Sequence, residues 1–171
     1  MPDVRRVVES QYLASLEMLG NAVDLCPEEL WDDGRFGNRF WRIAFHTLFY
    51  THLYLQSMEE DFRPWPKHRG QAEHMGEALP WPPHDPPEVA EAYTKKEVLE
   101  YLDFCRREVL ERTAELDVER EDSGFFWLPF GKLELQIYNI GHVRHHAGQL
   151  IERLRAETGL GVEWVGRSGT E

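Results

Sequence analysis

Three histidines lie within five positions near the carboxyl end of the chain, in the stretch NIGHVRHHAGQL from Asn139 to Leu150. The surrounding pattern predicts a helix, in which successive residues lie about 100° apart. His142 and His146 are then about 40° apart on adjacent turns, so both imidazoles can reach one small ion, whereas His145 points about 100° away from His146. This spacing is typical of two metal ligands on one helix face, but two solvent-exposed polar residues on the side of a helix can have the same spacing.

A third ligand has to come from another helix, and the aromatic-rich segment 40–58 offers His46 and His52. Their positions around a helix differ by about 120°, so at most one of them faces a given site. His52 falls among Trp41, Phe45 and Leu48, as a hydrogen-bonded core histidine would. His46 lies on a more mixed flank, where it could line a pocket. Periodicity alone does not choose between the two.

The run FWRIAFHTLFYTHLYL, followed about 95 residues later by GHVRHHAGQLIERLR, resembles the DinB-like family of bacterial four-helix bundles. The resemblance extends over about residues 4 to 156. The family includes YfiT-type metal-dependent hydrolases and metal-dependent thiol transferases. The resemblance implies that His46, His142 and His146 bind one divalent metal ion, zinc or nickel. The extra histidine, His145, and a long proline-rich loop depart from the family pattern.

A metal ion held by three histidines keeps coordination positions open for water or substrate. We therefore expect an enzyme that acts on a small-molecule substrate. It would be either a hydrolase that activates a bound water or a transferase that deprotonates a low-molecular-weight thiol cosubstrate. The alternative is a metal-stabilised bundle without turnover, acting as a dimeric interaction or stress-response module. A zincin protease is disfavoured, because HVRHH lacks the glutamate next to its first histidine.

Other residues of the same predicted helix could support this chemistry. If a general base is needed, His145 is the nearest candidate. Asn139 and Gln149 could each orient a ligand imidazole through a hydrogen bond. Gly141 and Gly148 are expected to let a neighbouring helix approach closely.

Four segments carry helical periodicity, and none shows the sustained alternation of a strand. They cover about residues 4–25, 40–58, 94–116 and 133–159, and Thr94 with Glu97 forms a capping box at the start of the third. The predicted fold is all-α: a four-helix bundle with a long proline-rich connection between its second and third helices. The chain has 171 residues, which fits a single domain, residues 1–171, with a C-terminal tail at 160–171.

The connection, residues 59–93, holds seven of the ten prolines and cannot continue either helix. Loops of this length usually have a function when they form no regular structure. Trp65 and Trp81 are predicted to anchor the loop on the bundle and, together with Tyr50, to line the substrate pocket.

Composition narrows the range of partners. With 31 acidic and 19 basic residues, the formal charge of −12 repels nucleic acids and anionic membranes, so neither is an expected partner.

No apolar run has the length of a membrane span or the pattern of a signal peptide, which predicts a cytoplasmic protein. Cys26 and Cys105 form no redox motif and are expected to be buried. Aromatic residues spread widely around segment 40–58, which predicts a homodimer.

Overall fold

The computed structural model describes residues 3–76, 78–88 and 91–168, and within these ranges it contains helices and no β-strand. The α-helices are α1 (Val4–Leu25), α2 (Glu28–Trp31), α3 (Phe40–Leu55), α4 (Lys95–Ala114) and α5 (Lys132–Thr158). A short 3-10 helix, Glu59–Asp61, follows α3. The predicted all-α class is confirmed, although the one-turn helix α2 was not predicted. None of the described helices combines the length and apolar character needed to cross a membrane.

The four long helices form the bundle. α1 packs against α4 and α5, and α3 packs against the same two helices, so α1 and α3 lie at opposite corners. Apolar residues spaced three or four apart fill the centre, for example Tyr12, Leu16 and Leu19 on α1, all of them fully buried. Both cysteines are free and buried, as expected.

Two helix ends follow the local signals of the sequence. The Thr94 side chain accepts a hydrogen bond from the Glu97 backbone N–H, and the Glu97 carboxylate accepts one from the Thr94 backbone, which completes the predicted capping box. At the far end of α5, Gly159 adopts a left-handed backbone with φ of 76° and ends the helix.

α3 ends three residues earlier than predicted, at Leu55 instead of Met58, because a buried lysine holds the chain that follows it. Lys132 Nζ donates hydrogen bonds to the carbonyl oxygens of Gln56, Ser57 and Ser123 at 2.7, 2.8 and 2.6 Å. Burial lowers the pKa of Lys132 to about 8. The ammonium group thus fixes the turn by which the chain leaves α3.

The connection from α3 to α4 is anchored by one of its two tryptophans. The Trp65 ring is 7% exposed and stacks on Tyr101 of α4, with ring centroids 4.7 Å apart. Trp81 remains 46% exposed and makes an edge contact with His74 of the same connection. The expectation that both rings are buried against the bundle is therefore wrong for Trp81.

Candidate metal centre

Helices α3 and α5 lie antiparallel, and a series of side-chain hydrogen bonds fixes their register. Gln136 donates to the carbonyl of Tyr54 at 3.2 Å, and Asn139 donates to the carbonyl of Thr51 at 3.3 Å. Toward the other end, Arg153 donates to the carbonyl of Asn38 at 2.8 Å. As residue numbers rise along α5 they fall along α3, so this register places the histidines of α5 opposite the middle of α3.

Three histidines converge at that point: His46 from α3, and His142 with His146 from α5. Nε2 of His46 lies 3.1 Å from Nε2 of His142, and one ligand nitrogen from each ring lies within 4.8 Å of the others. The three ring centroids are 4.6 to 5.1 Å apart. The described residues contain no other group of three metal-ligand side chains this close together.

The other two candidate histidines lie outside this group. His52 is buried on the α4 side of α3, and its Nδ1 lies 3.2 Å from the Tyr101 hydroxyl. His145 is exposed and touches only the edge of the His146 ring among the described aromatic contacts. The tertiary structure thus makes the choice between His46 and His52 that periodicity left open.

Burial keeps the three clustered imidazoles neutral. It lowers the pKa of His46 to about 4 and that of His142 to about 3, and the neighbouring histidines lower the His142 value further. Burial also lowers the pKa of His146. A neutral imidazole keeps a lone pair on one ring nitrogen, which is the form that binds a metal ion.

Hydrogen bonds orient two of the three rings. His46 Nδ1 donates to the backbone carbonyl of Glu73 at 2.6 Å, and His146 Nδ1 donates to Oε1 of Gln149 at 2.7 Å. With the proton on Nδ1, the Nε2 lone pair of each ring is free to face the centre of the group. Of the two residues proposed to orient a ligand, Gln149 therefore makes such a bond.

Asn139 does not make the expected bond, because its amide group is used to join the helices. Its Nδ2 donates to Thr51, while its Oδ1 is buried without a hydrogen-bond partner. Nδ1 of His142, one turn further along α5, is also buried without a partner. The two unpaired atoms are a potential acceptor and a potential donor on the same helix.

The connection supplies a support for the site that sequence reasoning missed. Besides the Glu73 carbonyl, which holds His46, the next carbonyl, of His74, accepts a hydrogen bond from Arg42 Nε at 2.8 Å. The Glu73 carboxylate lies 2.8 Å from His68 Nε2 and 3.5 Å from His74 Nε2. A glutamate next to His74 was the available signal, but nothing in the sequence indicates that this segment folds back onto α3.

The three residues predicted to line a pocket are placed differently from one another. The Tyr50 ring borders the histidine group, with its centroid 4.8 Å from that of His46 and 5.8 Å from that of His142. Trp65 lies in the core against α4, and Trp81 contacts the ring of His74 in the connection. Core packing of Trp65 thus replaces the pocket-lining position expected for it.

Sequence reasoning also missed a cavity near one end of the site. A cavity of about 710 Å³ adjoins the start of α3 and the second half of α5, and its walls include Ile43, Gly148 and Gln149. A Cβ atom added to Gly148 or Gly141 would have no neighbouring atom within 4 Å. The expectation that these glycines allow a helix to pack closely is therefore wrong.

Comparison with known proteins agrees with this architecture. The sequence model of the DinB superfamily matches residues 11–150, a range that contains all three clustered histidines. No curated protein and no solved structure matches the chain. Because the matched range covers well over half of the chain, the protein belongs to the DinB superfamily.

Proposed function

We propose that this protein is a metal-dependent enzyme in which His46, His142 and His146 hold one divalent ion, zinc or nickel. The observation that carries the proposal is the convergence of three neutral imidazoles, two of them with Nδ1 engaged and Nε2 directed to a common point. Three nitrogen ligands leave coordination positions for water or substrate, which is the pattern of catalytic rather than structural sites.

The residues fit such an ion. The 3.1 Å between Nε2 of His46 and Nε2 of His142 is close to the roughly 3.3 Å between two nitrogens on a tetrahedral zinc ion with bonds of about 2.0 Å. Imidazole nitrogen suits zinc and nickel alike. The spread of up to 4.8 Å within the whole group is compatible with the small side-chain movements that accompany ligation.

The two unpaired buried atoms also favour ligation. His46 uses its proton on Nδ1, so the short contact between the two Nε2 atoms requires that His142 carry its proton on Nε2. When His142 Nε2 binds an ion instead, that proton moves to Nδ1. We propose that Asn139 Oδ1, the unpaired acceptor one turn earlier, then receives a hydrogen bond from it.

The bound ion would act as a Lewis acid and lower the pKa of a water or thiol held against it. Tyr50 borders the same point, and burial raises its pKa to about 12, so its hydroxyl is a neutral donor for a substrate oxygen. His145 remains the proposed general base; a ring rotation toward the substrate would be needed, because it now lies at the exposed edge of His146. A small-molecule substrate and a thiol cosubstrate in the cytoplasm complete the proposal.

Metal analysis combined with paired substitutions tests the metal site. Purified protein should retain close to one equivalent of zinc or nickel, and His142→Ala should abolish that retention. His145→Ala should leave it nearly intact, because His145 lies outside the group. Equal losses in the two variants would contradict the assignment of ligands. Turnover is tested separately by screening metal-loaded protein against ester and amide substrates, and against thiols paired with electrophiles.

A non-catalytic dimeric module is the second candidate, and exposed apolar side chains favour it. The aromatic residues of α3 give it little support, since Trp41, Phe45, Phe49 and Tyr54 are buried within the single chain and Tyr50 is half-buried. Instead, large apolar side chains are exposed around the start of α5: Phe126, which is 88% exposed, with Trp127, Ile137 and Tyr138. Such a cluster is typical of a protein contact surface. A monomer in sedimentation at micromolar concentration would remove the dimer.

A further inference from the structure

The cavity of about 710 Å³ lies one helical turn from the histidine group along the contact between α3 and α5. Ile43 of its wall precedes His46 by three residues on α3, and Gln149 of its wall orients His146. Its volume is within the roughly 300 to 1,000 Å³ of small-molecule sites. No histidine is part of the cavity wall, but two wall residues lie within one helical turn of His46 and His146.

Arg153 gives the cavity a cationic wall. It donates through Nη1 to the Asn38 carbonyl and lies over the Phe36 ring, 4.1 Å from the ring centroid. No carboxylate within the described ranges forms a salt bridge with it. The other charged wall residues are neutralised: Arg35 binds Asp33 and Glu157, and Glu152 binds Arg155. Arg153 thus keeps guanidinium donors for a ligand.

Arg42 is a second cation, outside the cavity lining but bonded to the segment that supplies Met75. It precedes Ile43, and its Nε donates to the carbonyl of His74, the neighbour of the wall residue Met75. Its Nη2 is buried and has no hydrogen-bond partner. Since a buried guanidinium donor without a partner is costly, an acceptor belongs beside it. Arg42 is also four residues before His46, which on a helix is a rise of about 6 Å on the same face.

We propose that this cavity binds the anionic group, a carboxylate, of a small-molecule substrate or cosubstrate whose other end reaches the three histidines. Arg153 and Arg42 are its binding residues. Among the described residues Arg153 has no salt-bridge partner and Arg42 Nη2 has no hydrogen-bond partner, so each arginine has a donor that an anion can engage. This inference rests on the proposed metal-dependent function and names the chemistry of its ligand.

Two thiols that differ only in charge at the far end test the proposal. Mercaptohexanoate and mercaptohexanol are titrated into cobalt(II)-loaded protein, and each dissociation constant is read from the thiolate-to-cobalt absorption. The wild-type protein should bind the carboxylate roughly tenfold to a hundredfold more tightly, the range for hydrogen bonds to charged groups. Arg153→Gln and Arg42→Gln should each reduce this preference, measured as the ratio of the two dissociation constants, by about tenfold.

Arg106→Gln is the matched control, since it removes one positive charge from a half-buried position on α4 that is not part of the cavity wall. It should keep the full preference. Equal binding of the two thiols by the wild-type protein would overturn the inference while leaving the metal site in place. So would an equal weakening of both thiols in the arginine variants. Failure of the wild-type protein to bind cobalt(II) would instead refute the proposed function on which the inference rests.

Discussion

Replacing Gln149 with leucine should weaken metal binding without removing a ligand. The amide oxygen of Gln149 accepts the Nδ1 hydrogen of His146 at 2.7 Å and so holds Nε2 toward the other two histidines. Loss of such an outer partner typically reduces metal affinity by about 10- to 100-fold. Because Gln149 is exposed, water can take over part of its role, so we expect the lower end, about tenfold or ~1.4 kcal/mol.

A competition titration of metal-free protein against a chromophoric zinc chelator measures this change directly. Gln149→Glu should bind zinc at least as tightly as the wild-type protein, since a carboxylate is the stronger acceptor for the imidazole hydrogen. His145→Gln, on the exposed side of the same turn, should behave as the wild-type protein does. An affinity of Gln149→Leu within twofold of wild type would show that this hydrogen bond does not position the ligand.

Three further predictions concern stability. Burial lowers the pKa of His52 from 6.5 to about 4 in the folded protein. Between these two pH values the unfolded chain binds a proton that the folded protein does not bind. The free energy of unfolding therefore decreases as the pH falls from 6.5 to 4. His52→Gln should remove up to about 3 kcal/mol of the difference in unfolding free energy between pH 7 and pH 4. Urea titrations of the metal-free protein at the two pH values measure this difference, and an unchanged difference would contradict the burial argument. Gly141→Ala should raise the free energy of unfolding by roughly 0.5 to 1 kcal/mol, because the added methyl group meets no atom and alanine favours a helix; a loss of stability would mean that the glycine is required by its backbone. Lys132→Met should lower the free energy of unfolding by about 3 kcal/mol, because three carbonyl oxygens lose a buried charged donor. A decrease below about 1 kcal/mol would indicate that water replaces the ammonium group.

The parts of the fold that depend on local sequence could be predicted. The capping box at Thr94 and the terminal Gly159 act through backbone groups within one turn of themselves, and both are found where the sequence places them. The pairing of His142 with His146 follows from helix geometry in the same way. The helix α2 was missed because its four residues are too few to show a period.

The rest depends on contacts between distant segments. α3 is buried on nearly all sides, so its own pattern could not show that His46 faces α5 while His52 faces α4. The support of His46 by Glu73 requires the path of a connection that has no repeating pattern. Trp65 was placed in the substrate pocket by residue type alone, and the stacking partner that draws it into the core, Tyr101, lies on a different helix.

The hydrogen-bonded register of α3 on α5 constrains how this site can change during evolution. Bonds from Lys132, Gln136 and Asn139 lie on one side of the histidines, and the bond from Arg153 lies on the other. Insertion of one residue between any of these and the histidines would turn the helix by about 100° and shift it by about 1.5 Å, so either the bonds or the ligands would lose their partners. An insertion of two whole turns, about seven residues, restores the facing but shifts the helix by about 10 Å, so it would have to be matched by an equal insertion in the partner helix. New specificities would arise by substitution along the walls of the site or by changes of length in the connection.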